Sequence, residues 1–120
     1  KEEEIFIKTD KPRLQQALQY LLNNALKYTE QGEVELGYVL TDKNHVRIFV
    51  KDTGIGIKKE DIPVIFERFR KIEDHSVKLY RGAGLGLYIT NSIVMALEGE
   101  IDVKSVLGEG TTFTIELPLQ

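Results

Sequence analysis

The chain has no cysteine, so disulfides and thiolate metal sites are excluded and its redox compartment leaves no mark on it. It also lacks any apolar run near the ~20 residues that a membrane-spanning helix needs. Its first residues, Lys1–Glu4, are charged and do not read as a secretory signal. Excess charge is missing as well. The net charge of −3 gives no electrostatic reason to expect a nucleic-acid partner or direct membrane contact. Two familiar phosphate-binding signatures are absent. There is no G-x-x-x-x-G-K-[ST] segment, which excludes a P-loop. The glycines at 82, 84 and 86 are spaced G-x-G-x-G, not G-x-G-x-x-G, and do not follow a strand in a βαβ unit, which excludes a Rossmann site.

What is present fits one soluble domain over residues 1–120, with 42% apolar and 29% charged residues. Ile5–Lys8 predicts a short strand. Thr9 and Asp10, with Pro12 close behind, predict a helix start. Leu14, Ala17, Leu18, Leu21, Leu22 and Ala25 form one apolar stripe, carrying that helix to about Tyr28. Glu33–Leu40 and Asn44–Lys51 predict two strands joined by a turn. A short helix is expected over Glu60–Phe69, then a charged loop over Arg70–Arg81. A second long helix runs from the glycine cluster at 82–86 through Leu97 and stops at Gly99. Ile101–Val106 and Thr112–Leu117 predict a closing pair of strands. This order suggests an α/β two-layer sandwich, a mixed sheet of about five strands with about three helices on one face.

The polar residues concentrate in four places. Tyr20, Asn24, Lys27 and Tyr28 share one face of the first helix, at offsets of three and four. An amide oxygen and an ammonium group there suit a metal–phosphate ligand, although a solvated face has the same look. Asp52 ends a strand before Gly54 and Gly56. A carboxylate accepts hydrogen bonds only and could take an exocyclic amine, and glycines would let a flat base approach the backbone. An ordinary Asp-x-Gly turn is the alternative. Gly82, Gly84 and Gly86 precede a helix, where free N–H groups and the positive helix end bind phosphate. Gly108 and Gly110 form the last turn. Seven of the ten glycines thus lie in three turns, an entropically costly arrangement for mere connection, which favours a ligand.

These segments resemble a known family. Asp10, Arg13, Leu14, Leu18, Leu21, Leu22, Asn24, Ala25, Lys27, Tyr28 and Thr29 are similar in identity and spacing to the N box of histidine kinase catalytic domains. Asp52, Gly54, Gly56 and Ile57 resemble the first glycine box, and Phe66–Phe69 the F box. Gly82, Gly84, Leu85, Gly86 and Leu87 resemble the second glycine box, and Gly108, Gly110, Thr111 and Phe113 the third. The resemblance covers nearly the whole chain. It implies the Bergerat, or GHKL-type, ATP-binding fold shared with DNA gyrase, MutL-type repair proteins and heat-shock chaperone ATPases. ATP and Mg²⁺ are the implied ligands. Asn24 would hold the metal, Lys27 the phosphates, Tyr28 the flank of the nucleotide, and Asp52 the adenine amine, with Thr111 near it through water. Ile57, Leu85 and Leu87 join the cofactor-contacting set with their boxes. A lid over about 70–84 would bring Arg70 or Lys71 to the phosphates.

One position departs from the family pattern. Tyr20 stands where the N box commonly carries Asn or His, and where hydrolytic relatives carry a Glu base. A phenol, with an ordinary pKa of about 10, is a poor base at neutral pH. The site is therefore expected to hold ATP without activating water. Neither His45 nor His75 lies in a helical acceptor motif. The resemblance thus implies γ-phosphoryl transfer to a histidine on separate dimerisation helices of a longer cytoplasmic protein, and onward to a response regulator receiver domain. A nucleotide sensor without transfer, and a gyrase- or chaperone-type ATPase, are the alternatives.

Overall fold

The computed structural model describes residues 10–41, 44–66 and 85–119, Leu85 by its backbone only. Helix α1 spans Lys11–Lys27. Asp10 caps it, its carboxylate accepting from the Arg13 N–H at 3.3 Å, and Pro12 falls in the first turn, where its missing N–H is harmless. The helix closes where the Tyr28 N–H donates to the Asn24 carbonyl at 3.1 Å. Strands β1 (Val34–Leu40), β2 (His45–Asp52), β3 (Glu100–Val106) and β4 (Gly110–Pro118) form one sheet in the order β1-β2-β4-β3. Helix α2 spans Leu85–Ala96. Both helices pack against one face of the sheet and against each other, so the two-layer sandwich is present.

Three expectations need correction. Every described strand pairing is antiparallel, so the described sheet is not mixed. It has four strands and two α-helices rather than about five and three, and the strand expected at Ile5–Lys8 lies outside the described residues. In place of the helix expected from Glu60, there is a 3-10 turn over Ile62–Val64. Ile62, Val64 and Ile65 are β-branched and Pro63 has no N–H to give, so the segment is a poor α-helix former.

The sheet's inner face places the site. Alternation along β4 buries Thr111, Phe113, Ile115 and Leu117. Register across the strands then makes rows. Ile48, Ile115 and Ile101 form one, and Val50, Phe113 and Val103 the next. Ala17, Leu21 and Ala25 of α1 and Leu87, Ile93 and Val94 of α2 close over them. Fully burying one such aliphatic side chain contributes about 1.5–3 kcal/mol. The next row in the same alternation is polar: Asp52, Thr111 and Ser105.

Candidate functional site

The polar row is held by hydrogen bonds from every side. Asp52 is 3% exposed. Its Oδ1 accepts from the Gly54 N–H at 2.9 Å and from the Thr111 N–H at 3.2 Å. Two backbone donors on one carboxylate oxygen offset much of the cost of burying a charge and fix its orientation. The Ser105 hydroxyl accepts from the Ile57 N–H at 2.8 Å and lies 2.8 Å from Thr111 Oγ1 and 2.9 Å from the Gly110 carbonyl. The first and third glycine turns are therefore tied to each other through β3. A further bond joins them directly, from the Gly108 N–H to the Ile55 carbonyl at 2.7 Å.

The end of α1 is attached to the same turn. The Ile55 N–H donates to the Tyr28 carbonyl at 3.2 Å, and the Tyr28 N–H to the carbonyl of Asn24. Asn24 and Asp52 thus sit at the same end of the sandwich, linked by backbone bonds. Asn24 is 6% exposed. Among the described residues, the buried side-chain polar atoms without a partner are Asn24 Nδ2 and Thr29 Oγ1, both at the exit of α1. A buried polar group left unsatisfied costs about 1–3 kcal/mol, so the exit of α1 carries a local energetic cost. The unmatched Asn24 atom is the amide nitrogen, a donor that cannot ligate a cation; it is the oxygen of the same amide that is of the hard donor type Mg²⁺ takes. Lys27 is exposed beside it, its ammonium 5.4 Å from the centre of the Tyr28 ring.

Gly54, Gly56 and Gly86 each lie against another part of the chain. A side chain at Gly54 would collide with the Tyr28 carbonyl, and one at Gly56 with the Val106 carbonyl. On the side where a β-carbon would stand, each of these two glycines is met by protein backbone. Gly54 and Gly56 are glycines because helix end, turn and hairpin meet there without side chains between them, and Gly56 and Gly110 also need positive φ. At Gly86 the neighbour is Tyr20, whose ring occupies the place a β-carbon would take. The aromatic ring at this unusual N-box position thus packs on the first turn of α2.

Two of the expected contact residues are core side chains. Ile57 and Leu87, 1% and 2% exposed, have no surface to offer a ligand in this conformation. They shape the site from beneath, Ile57 also through its N–H. Phe66 packs edge-on against Phe113, ring centres 6.2 Å apart. Arg70, Lys71, Gly82 and Gly84, with the rest of the expected lid and His75, lie outside the described residues. Ser105 was not expected in the site. The signal was its inward place in the alternation Ile101, Val103, Ser105, where a hydroxyl interrupts an apolar series. Thr53 was missed too. Its hydroxyl accepts from the Glu33 N–H at 2.9 Å, while the Thr53 N–H donates to the Glu33 carbonyl at 3.1 Å, pinning the first glycine turn to the start of β1.

An antiparallel sheet covered on one face by two helices, with a polar row at one end, is the scaffold of an ATP-binding class of domain. The chain belongs to the family described as histidine kinase-, DNA gyrase B-, and HSP90-like ATPases, whose model matches residues 9–120. It is 42% identical over 117 residues to the autoinducer 2 sensor kinase/phosphatase LuxQ of Vibrio cholerae, covering 95% of this chain and 14% of that protein. It is 38% identical over 120 residues to the sensor histidine kinase AtsR of Burkholderia thailandensis, covering 98% of this chain and 20% of that one. The chain therefore spans only about a seventh to a fifth of these relatives. Among solved structures, full-length ShkA in complex with AMPPNP is similar with a TM-score of 0.78 and 36% identity, over 92% of this chain and 22% of that chain. The mycobacterial sensor histidine kinase MprB is similar with a TM-score of 0.77 and 26% identity, over 95% of this chain and 77% of that one.

Proposed function

We propose that this domain binds ATP with Mg²⁺ and donates the γ-phosphoryl group to a histidine on separate dimerisation helices of a longer protein, from which it passes to an aspartate of a response regulator receiver domain. The observation that carries the reading is the convergence of Asn24 and Asp52 at one end of the fold, through the Tyr28–Ile55 bond at 3.2 Å. The AMPPNP bound by the related ShkA supports it. Since ATP is a cytoplasmic metabolite, the domain would work in the cytoplasm. Among the described residues no helix is long and apolar enough to cross a membrane.

In this mechanism, Asp52 accepts the exocyclic amine of adenine. Its orientation is set in advance by the Gly54 and Thr111 N–H groups, so little reorganisation is needed on binding. Asn24 would supply an oxygen to a bound Mg²⁺, which would neutralise charge developing on the phosphates. Lys27 adds a mobile positive charge beside them. The first turn of α2, at Gly86, offers backbone N–H groups and the positive helix end to the phosphate chain. The bond from phosphorus to the acceptor imidazole nitrogen forms as the bond to the bridging oxygen breaks, and ADP leaves. Tyr20 is packed on Gly86 where a carboxylate base would serve a hydrolase. The domain thus positions ATP and leaves acceptor activation to its partner.

The test mixes this chain with γ-labelled ATP, with and without a separately produced histidine-bearing dimerisation domain. The expected result is acid-labile phosphohistidine on the added domain, none on this chain, and negligible hydrolysis. Tight ATP binding without transfer to a competent acceptor would favour a nucleotide sensor. A steady hydrolysis rate from the chain alone would favour an ATPase.

A further inference from the structure

Gly86 is the second residue of α2, and it is not among the glycines with positive φ. A glycine inside a helix costs up to about 1 kcal/mol relative to alanine, so something other than backbone conformation calls for it. What it makes room for comes from α1. A β-carbon at position 86 would fall on the phenol end of Tyr20, against Cε1, Cζ and Oη. Tyr20 itself is half-buried and packs against the core. Around this contact the turn is held on other sides too. Leu87 is buried in the core, and the hydroxyl of the buried Thr90 donates to the Gly86 carbonyl at 2.9 Å. The first turn of α2 therefore rests on Tyr20. One helical turn further along the same face of α1, at an offset of four, stands Asn24.

We infer that Tyr20 is a positioning residue for the triphosphate: its ring, seated on Gly86, sets the gap between the face of α1 that carries Asn24 and the first turn of α2, so that amide and helix end meet one Mg²⁺–phosphate group together. This rests on the ATP reading above and adds to it the residue that fixes the spacing. Metal and phosphate ligands act as a pair only at one separation. Mg²⁺ demands near-ideal octahedral geometry, and a displaced helix end loses its hold on the same oxygens. The device is this chain's own pair, Tyr20 with Gly86, at the position where the N box departs from its usual Asn or His. The base end is oriented by other elements, since Asp52 takes backbone bonds from Gly54 and Thr111. Loss of the ring should therefore be felt by the phosphates and not by the base. A residue that merely held the core would weaken every ligand in step with stability.

The experiment measures binding of ATP with Mg²⁺ by titration calorimetry, and of adenosine by ligand-observed NMR, which reads weak binding. The chains are the wild type, Tyr20→Leu, Tyr20→Phe and Gly86→Ala, with thermal unfolding as the check on folding. Adenosine carries the base without the phosphates. Tyr20→Leu removes the ring and should weaken ATP about tenfold while adenosine stays within about twofold. Gly86→Ala drives a β-carbon into the same contact from α2. It should shift the ATP-over-adenosine ratio in the same direction, and it serves if the leucine variant does not fold. Tyr20→Phe keeps the ring and should hold ATP affinity within about threefold of the wild type. An unchanged ratio in Tyr20→Leu and Gly86→Ala overturns the inference while leaving the ATP reading intact. So does a loss in Tyr20→Phe equal to that in Tyr20→Leu, which would assign the effect to the hydroxyl. A wild-type chain that binds neither ligand overturns both.

Discussion

Two regions of the inner sheet face are built on one alternation and do opposite work. Three rows, from Val46 and Leu117 to Val50, Phe113 and Val103, are apolar and closed over by helices. The fourth, Asp52, Thr111 and Ser105, points the same way but is polar. Period-two geometry directs a side chain inward whatever its chemistry. An apolar row is stable because it packs. The polar row is stable only because each group finds a donor or acceptor, from turns that leave the strands at that end. The scaffold rows should therefore set stability, and the last row should set which ligand is held.

The largest expected effect tests the scaffold half of that contrast. Ile115 is fully buried between Ile48 and Ile101. Ile115→Ala should destabilise the domain by about 2–5 kcal/mol in denaturant unfolding. Nucleotide affinity, measured where the variant is still folded, should stay within about twofold. Loss of affinity in proportion to stability would erase the distinction between the rows.

Asp52→Asn tests the other half. The new amide oxygen can still accept from the Gly54 and Thr111 N–H groups, so the thermal midpoint should move little. The amide nitrogen would meet the adenine amine donor to donor. ATP affinity should fall on the order of 100-fold, read by titration calorimetry. Unchanged affinity would remove Asp52 from the base site.

Much of this contrast was legible in the sequence, and the rest was hidden for identifiable reasons. The stripe on α1, with Ala17, Leu21 and Ala25 inward, follows from helical spacing alone, as does β4 from its alternation. Asp52 stood out by the glycines that follow it, and Thr111 only through the resemblance to the third glycine box. Ser105 did not, because nothing local separates an inward serine near a strand end from an ordinary strand residue, and its partners Ile57 and Thr111 come from two other segments. The packing role of the glycines was hidden for a related reason. Spacing shows that a turn needs small residues but not what approaches them, and at Gly54 it is the carbonyl of Tyr28 from a distant helix. The antiparallel pairing of the described strands likewise depends on partners far along the chain.

A smaller effect is expected at the metal end. Asn24→Ala removes a buried amide that the protein leaves partly unmatched. Its absence should weaken ATP binding about tenfold with Mg²⁺ present and much less in chelator, since only the metal-bound form uses the oxygen. Equal loss in both conditions would reassign Asn24 to packing of the α1 exit. The opposite finding, no loss in either, would move the metal end elsewhere.

The smallest effect lies at the far end of the scaffold. Helix α2 was expected to stop on Gly99, yet the residue with left-handed backbone is Glu98, at φ 66°. The Gly99 N–H then donates to the Val94 carbonyl at 2.9 Å, a Schellman-like closure in which glycine usually takes the position Glu98 occupies. Gly99 is needed for a different reason, since a side chain there would press on the Glu116 carbonyl and Leu117. Glu98→Gly relieves the left-handed strain but also frees the unfolded chain, so the net gain should be modest, about 0.5–1 kcal/mol in denaturant unfolding. The gain should leave ATP affinity unchanged, because β3 separates Glu98 from the polar row by nearly its whole length. A change in ATP affinity from this substitution would mean that strain at the apolar end reaches the polar row, and that the two regions are not independent.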